Sequence, residues 1–367
     1  LKKIIIERKK LEENIQKIKK MSEMKDEKVK IIAVVKCNGY GLGAIEYTKV
    51  LIENGIEIFA VSSVEEAIQL RKAGIENDII MLSGIAIKEE IEKLIDNDII
   101  LTIGSKEDIE IIEEIAEERD IEIRAHLKID TGMGRYGFIY NQPEILIENL
   151  QKVNRIKIEG TYSHFSNSYY DKKYTEEQFK RFNETVTILK QNNIETGMLH
   201  ICNSSAFIKY PNMYLDAVRI GSAFLGRLSC KSDIELKSIG YLETKVTEIK
   251  EIKKGSYVSY SKAYKTKRKT KVAIIPCGYD DGFNIATGKD MFRIIDKLRN
   301  ISRALKDLFK KQKISIKIGN ESCKVLGRVG THHIICDITD KDINIEDKAI
   351  LQINPKYVDS SINREFR

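Results

Sequence analysis

The sequence predicts an α/β protein, an N-terminal (β/α)8 barrel of the TIM type followed by a C-terminal all-β domain. Three observations predict it. Eight short apolar runs alternate with amphipathic helical stretches between residues 31 and 219. No G-x-G-x-x-G follows the first run, so the usual mark of a dinucleotide-binding open sheet is missing. Beyond residue 232 the runs become short, alternating and punctuated by glycine, as in an all-β unit.

Residues 3–6 (KIII) read as a leading strand that precedes the barrel and is expected to join the β domain. Residues 10–22 read as an amphipathic helix. Barrel strands are expected at 31–36, 58–61, 79–82, 99–103, 123–129, 156–162, 198–202 and 215–219, the first an apolar, mostly β-branched run that reads as a buried parallel strand. Helices are expected between most of them, at 44–54, 64–73, 87–96, 106–118, 142–150, 175–191 and 204–209. The β domain is expected to use 238–249, 256–260, 271–276, 315–318, 322–329, 333–338 and 349–353. The domains are accordingly 1–8 (leading strand, joining the β domain), 9–232 (barrel) and 233–367 (β domain).

Composition bounds the function. With 42% hydrophobic and 32% charged residues, the 367-residue chain reads as folded and globular. The formal net charge of +7 is spread along the chain, and lysine-rich runs such as 265–271 alternate with acidic helices. That pattern favours an acidic substrate or surface and does not single out nucleic acid. No apolar run reaches the roughly 18 residues of a membrane helix, and no signal peptide is expected. The six cysteines lie far apart without a Cys-x-x-Cys pair, which fits reduced thiols in the cytoplasm, and no metal site is expected.

Chemistry belongs at the C-terminal ends of barrel strands. Lys36 ends the first run, AVVK, and a partly desolvated amine there is a candidate nucleophile for a carbonyl. Taken alone, a lysine leaving its strand for solvent is the commoner outcome. Asp130-Thr131-Gly132 forms a tight turn before Arg135, a pattern that an ordinary surface turn also explains. His164 falls just past the sixth strand and Arg219 ends the eighth. Asn203-Ser204 at a helix start, with Gly221-Ser222 after the eighth strand, supplies hydroxyls and backbone amides suited to a phosphate. Helix capping is the competing role for the Asn-Ser pair.

Seven segments carry a resemblance: AVVKCNGYGLG (33–43), HLKIDTGMGRYGF (126–138), EGTYSHF (159–165), HICNSS (200–205), LDAVRIGSAFLG (215–226), VSYSKAY (258–264) and PCGYDDGF (276–283). In this order, over essentially the whole chain, they resemble the alanine racemase family of fold-type III pyridoxal-phosphate enzymes. The resemblance implies that Lys36 holds pyridoxal phosphate and is one of two acid/base groups, Tyr260 being the other. It implies that Tyr40 helps hold the phosphate, where Asn203, Ser204, Gly221 and Ser222 also converge, and that His164 packs on the pyridine ring. Arg135 would bond the cofactor's phenolic oxygen and approach the substrate carboxylate, steadied by a carbamylated Lys128. Arg219 would face the pyridine nitrogen and, as a permanent donor, leave it unprotonated. The ring is then a weak electron sink, which favours reprotonation over transamination. Tyr260 and Tyr279, the latter at the substrate entrance, would serve the other subunit's site, so a homodimer with composite sites is implied.

The expected activity is racemisation of alanine, serine or both, supplying D-amino acid for peptidoglycan precursors. A non-catalytic pyridoxal-phosphate carrier and a fold-type III decarboxylase are the alternatives; residues 240–367 speak against the first and SYSKAY and GYDDG against the second. Serine racemases of the vancomycin-resistance type are similar to this family and often carry a preceding membrane module. An opening on Leu1 rather than Met would suit such a catalytic part, cytoplasmic and tethered through that module. The chain departs from the family where Arg-x-Cys-Met-Asp is typical and Arg328-Val329-Gly330-Thr331-His332 stands here. Asn354 lies near the place of the family's late tyrosine. Thr331 and Asn354 are therefore the candidates for bonding a serine hydroxyl.

Overall fold

The computed structural model describes residues 1–23, 29–228, 230, 232–285, 294–309 and 314–367. It divides into two compact units, Arg8–Ile239 and a second made of Leu1–Glu7 with Gly240–Arg367.

The leading strand β1 (Lys3–Ile6) belongs to the second unit. The first unit contains β2 (Lys30–Val34), β3 (Ile58–Val61), β4 (Asp78–Met81), β5 (Leu101–Ile103), β6 (Ile123–Asp130), the short β7 (Phe138–Ile139), β8 (Ile156–Tyr162), β9 (Met198–His200) and β10 (Ala217–Ile220). Eight of these run parallel in the order β4-β3-β2-β10-β9-β8-β6-β5. The ring is closed between β4 and β5 by an Ile80–Ile100 bridge, with Met81 N–H donating to Ile100 O and Ile100 N–H to Ile79 O, each at 2.9 Å. All eight expected strands are present, and the fold is a TIM-like barrel of the kind the alternation predicts.

Strand alternation sends every second residue inward. Ile32, Val34, Ala60, Ile80, Ile100 and Ala217 form the apolar floor of the barrel, with Ile58, Leu82 and Met198 against them. One step further along, the strands carry polar residues: Thr102, His126, Lys128, His200 and Arg219, all buried. The barrel is therefore apolar below and polar towards the strand C-terminal ends.

The second unit is a nine-stranded sheet, β12-β15-β18-β17-β16-β19-β11-β1-β20, built from β11 (Tyr241–Lys245), β12 (Glu248–Ile252), β15 (Thr270–Ile275), β16 (Ser315–Ile318), β17 (Glu321–Val325), β18 (Ile334–Asp337), β19 (Lys348–Leu351) and β20 (Asn363–Phe366), with a small β13–β14 ribbon (Tyr257–Val258, Tyr264–Lys265) beside it. Its pairings are antiparallel except β1 with β20. The expected strand at 238–249 is two strands, broken at Val246 and Thr247.

The switch from barrel to sheet falls at Ile239/Gly240 and not at 232/233, and the leading segment ends at Glu7. Asn14 accounts for the delay: its Nδ2 donates to Phe224 O (2.9 Å) and Lys237 O (2.7 Å), and its Oδ1 accepts from Lys237 N–H. This buried amide holds residues near 237 against the first barrel helix, Arg8–Ser22.

Candidate active site

Strand β2 stops at Val34, and Lys36 opens a turn in which Cys37, Asn38, Gly39, Tyr40 and Gly41 have φ of 55°, 51°, 62°, 54° and 85°. A left-handed conformation costs about 1–2 kcal/mol per non-glycine residue and persists only where neighbours over-determine it. Here Gly39 N–H donates to Val35 O, Gly43 N–H to Asn38 O and Ala44 N–H to Asn38 Oδ1 (2.8 Å). Glu66 Oε1 accepts the Asn38 N–H. At Gly39 a Cβ would lie 3.1 Å from both Ala44 Cα and Tyr47 Cδ1, a tight approach on top of a left-handed φ of 62°.

The turn sets Tyr40 against Gly221, where an added Cβ would stand 2.3 Å from the phenol oxygen. Burial pushes the Tyr40 phenol up to about 12, so it stays a neutral donor. Lys36, Tyr40, His164, Asn203, Ser204, Arg219, Gly221 and Ser222 line one cavity of about 290 Å3, eight of the ten barrel residues singled out by sequence. Lys128 and Arg135 are not among its lining residues.

Arg219 is buried and spends its donors on neutral partners: His200 Nδ1 (2.7 Å), His200 O, Ser163 O (2.6 Å), Ile201 O and His164 Nδ1 (3.2 Å). Burial lowers it to about 10, which still leaves it protonated near neutrality. Because Arg219 can only donate, His200 Nδ1 must accept, and His200 Nε2 then donates to His126 Nδ1 at 2.9 Å. Burial, and then the Arg219 charge, hold His164 and His200 well below the usual imidazole value. Burial takes His126 to about 4. Tyr162 stacks on His200, with centroids 4.9 Å apart and planes within 5°.

Lys128 is buried, its Nζ donating to Leu82 O at 3.3 Å. Burial, then the charges of Arg219 and Arg135, draw it down to about 7. It lies 5.3 Å from the centroid of the Tyr136 ring, whose other approach is Arg135 at 6.0 Å. Arg135 itself is exposed, on a turn whose four successive N–H groups, Gly132 to Arg135, all donate to the Asp130 carboxylate. Asn203 takes the capping role: its Oδ1 accepts from Ala206 N–H and Ser168 Oγ. Ser204 Oγ accepts from Gly221 N–H at 3.1 Å, which ties the two phosphate-ready segments together.

In the second unit, Tyr260 begins a 3-10 turn and is 75% exposed. Its flanks, Ser259, Ser261 and Lys262, all have positive φ. Ser259 Oγ donates to Arg328 O and accepts Arg328 N–H, clamping that turn to the loop before Thr331. The same loop grips the next turn: Tyr279 N–H donates to Gly330 O, Asp280 N–H to Thr331 O, and the Tyr279 and Thr331 hydroxyls lie 2.6 Å apart. Gly278 permits this, because a Cβ there would stand 2.1 Å from Thr331 O. Tyr260, Tyr279 and Thr331 are thus organised around one loop. Asn354 caps its own turn, Oδ1 accepting from Lys356 N–H.

Two residues of this site were not singled out from the sequence, His126 and His200. The signal was in reach: each shares its strand's inward face, His126 with Lys128 and His200 with Met198. Gly160, paired opposite His126, is the matching half, since a Cβ there would lie 2.6 Å from the imidazole.

A parallel barrel with a lysine after its first strand and a buried arginine at the end of its last, in one chain with an antiparallel β domain whose Tyr260 turn is strained, defines a class: barrel enzymes with a second β domain. The model of the alanine racemase N-terminal domain matches residues 6–228, and that of the C-terminal domain matches 239–363. An alanine racemase of Clostridium tetani is 34% identical over 349 residues, 93% of this chain and 83% of that protein. One of Methanococcus maripaludis is 36% identical over 279 residues, 74% of each. The alanine racemase structure from Clostridium difficile 630 superposes with a TM-score of 0.84 at 28% identity, covering 100% of this chain and 95% of that one. The chain belongs to the alanine racemase family, whose members depend on pyridoxal phosphate, and it is an amino-acid racemase of that family.

Proposed function

We propose that the chain binds pyridoxal phosphate in the barrel cavity and interconverts the L and D forms of alanine, serine or both, yielding D-amino acid for peptidoglycan precursors. The observation that carries this is the single cavity shared by Lys36, Tyr40, His164, Ser204, Arg219 and Gly221. The residues fit the cofactor. The cradle between Tyr40 and Gly221 is one that a single Cβ would fill. The cavity is walled by cationic Lys36 and Arg219 and a neutral imidazole, a surrounding that favours a phosphorylated anion.

Lys36, Tyr40, Ser204, Gly221 and Ser222 would hold the cofactor, with His164 and Arg219 beside its ring. When bound it supplies an electron sink that acidifies the substrate α-hydrogen. The chain supplies the proton traffic: Lys36 Nζ takes or returns the proton on one face and Tyr260 Oη on the other. Tyr260 would act in the site of a second copy, so the working unit is a homodimer; its exposure on a clamped turn supports that role. Lys128 would carry a carbamate. An amine drawn down to about 7 is partly in the neutral form that reacts with carbon dioxide, and the resulting anion would face Arg135, which approaches the same Tyr136 ring. Thr331 and Asn354, the latter through its Nδ2, would bond a serine hydroxyl, and a pocket that bonds a hydroxyl can prefer it strongly. Tethering of the catalytic part to a membrane through a preceding module fits the same reading; among the described residues no helix is long and apolar enough to cross one.

The test is racemisation of L-alanine and L-serine by one purified sample, with Lys36→Ala as control. Formation of neither D form, with pyridoxal phosphate bound, would leave a cofactor-binding protein and no racemase.

A further inference from the structure

The helix Ile294–Phe309 of the second unit differs from the barrel helices in what it does with its apolar side. A helix such as Lys88–Asp96 buries its Ile91 and Leu94. In Ile294–Phe309, Ile294, Leu298, Ile301 and Leu305 recur at steps of four, three and four, which places them on one face. They are 76%, 58%, 57% and 52% exposed. Single exposed aliphatics are ordinary; a stripe of four along three turns marks a contact surface.

The charges beside the stripe identify its occupant. At about 100° per residue, exposed Lys297 lies roughly 60° from the stripe on one side and exposed Lys306 roughly 120° on the other. The helix sequence carries Lys297, Arg299, Arg303 and Lys306 against Asp296 and Asp307. The same unit bears the basic run 262–271, whose Lys262 and Lys265 ammonium groups lie 5.1 and 5.4 Å from the ring of exposed Tyr257. A second copy of this helix would bring like charges together across a two-fold contact, and its stripe is shorter than the three to four heptads of a stable coiled coil. An anionic surface suffers neither objection.

We infer that Ile294–Phe309 is an interfacial helix that lies on an anionic lipid surface, its aliphatic stripe at the acyl boundary and its flanking lysines among the headgroup phosphates. This stands apart from the racemase reading, because no residue of this helix belongs to the candidate site.

The experiment is flotation of the full chain with vesicles of phosphatidylglycerol and phosphatidylcholine, against phosphatidylcholine alone. Binding at least about tenfold higher to the anionic vesicles is expected, falling as salt is raised. Leu298→Glu with Ile301→Glu should abolish it, and Lys297→Glu with Lys306→Glu should reduce it about tenfold or more, with the thermal midpoint and racemisation in vesicle-free solution unchanged. The charge pair keeps the test decisive should the stripe pair fold poorly. Absence of flotation with either vesicle, or flotation indifferent to both pairs, would overturn the inference. So would a loss of dimer mass in vesicle-free solution on changing the stripe, since the face would then belong to a second copy.

Discussion

Replacing Gly221 by alanine tests the cofactor cradle through one contact. The new Cβ would stand 2.3 Å from Tyr40 Oη and 2.8 Å from its Cε2 and Cζ. Non-bonded carbons prefer about 3.5–4.0 Å, so the phenol must retreat by roughly 1 Å. Its own turn resists, because Tyr40 sits at φ 54° in a left-handed run that also includes Cys37, Asn38, Gly39 and Gly41. The phenol would then lose the phosphate bond proposed for it, and a hydrogen bond to a charged group contributes about 1.5–3 kcal/mol. Pyridoxal phosphate affinity, read by absorbance on titrating the apoprotein, should fall by about 10- to 100-fold. Tyr40→Phe should fall comparably, and the double variant should add little to either, since both act through one contact. Wild-type affinity in Gly221→Ala alongside a weakened Tyr40→Phe would refute the cradle. Strictly additive losses would show that Gly221 acts elsewhere.

Mixing inactive Lys36→Ala with inactive Tyr260→Phe should restore activity through one intact site per heterodimer, and no recovery would confine both residues to a single copy's site. Isotope-labelled bicarbonate should label Lys128 and no other lysine, with Lys128→Met unlabelled; an unlabelled wild type removes the carbamate. His126 is held at about 4 in the fold against an ordinary 6.5, so between those values the unfolded chain binds the extra proton. Stability is then full above about pH 6.5 and falls on acidification by on the order of 3 kcal/mol as pH approaches 4. Urea unfolding at several pH values should show a shallower acid loss in His126→Gln; an unchanged slope would assign the loss to other groups. Thr331→Met and Asn354→Tyr should each lower kcat/KM for L-serine relative to L-alanine, and a preference unmoved by both would discard their role in substrate choice.

The barrel was legible because its strands are local apolar runs and its helices carry their own periodicity. Ends were less so: Lys36 was expected on the strand, but a left-handed turn depends on Glu66 and Gly43, and no propensity of Cys37 or Asn38 announces it. Strand β20 went unread because its partner is β1, at the other end of the chain. The His126–His200–Arg219 chain joins three strands, and each residue alone resembles a buried polar exception. Asn203 reads in the sequence for phosphate, with capping as the competing role, and its Oδ1 caps the Ser204 helix. The helix at Ile294–Phe309 went unread, because the β-rich stretches on either side set the expectation of an all-β unit.

The closure of the barrel between β4 and β5 has a dynamic consequence. Strands β6 and β8 are paired over six positions, whereas β4 meets β5 through the Ile80–Ile100 bridge. Amide exchange should therefore be fastest along that line, where the wall breathes most readily. Thr102 Oγ1 bonds Met81 O across it, and Leu82 O just beyond receives both Lys128 Nζ and the Tyr162 hydroxyl. Each opening of this seam thus loosens the packing beneath the site, and a chemical staple across it would trade that mobility for rigidity at Lys128.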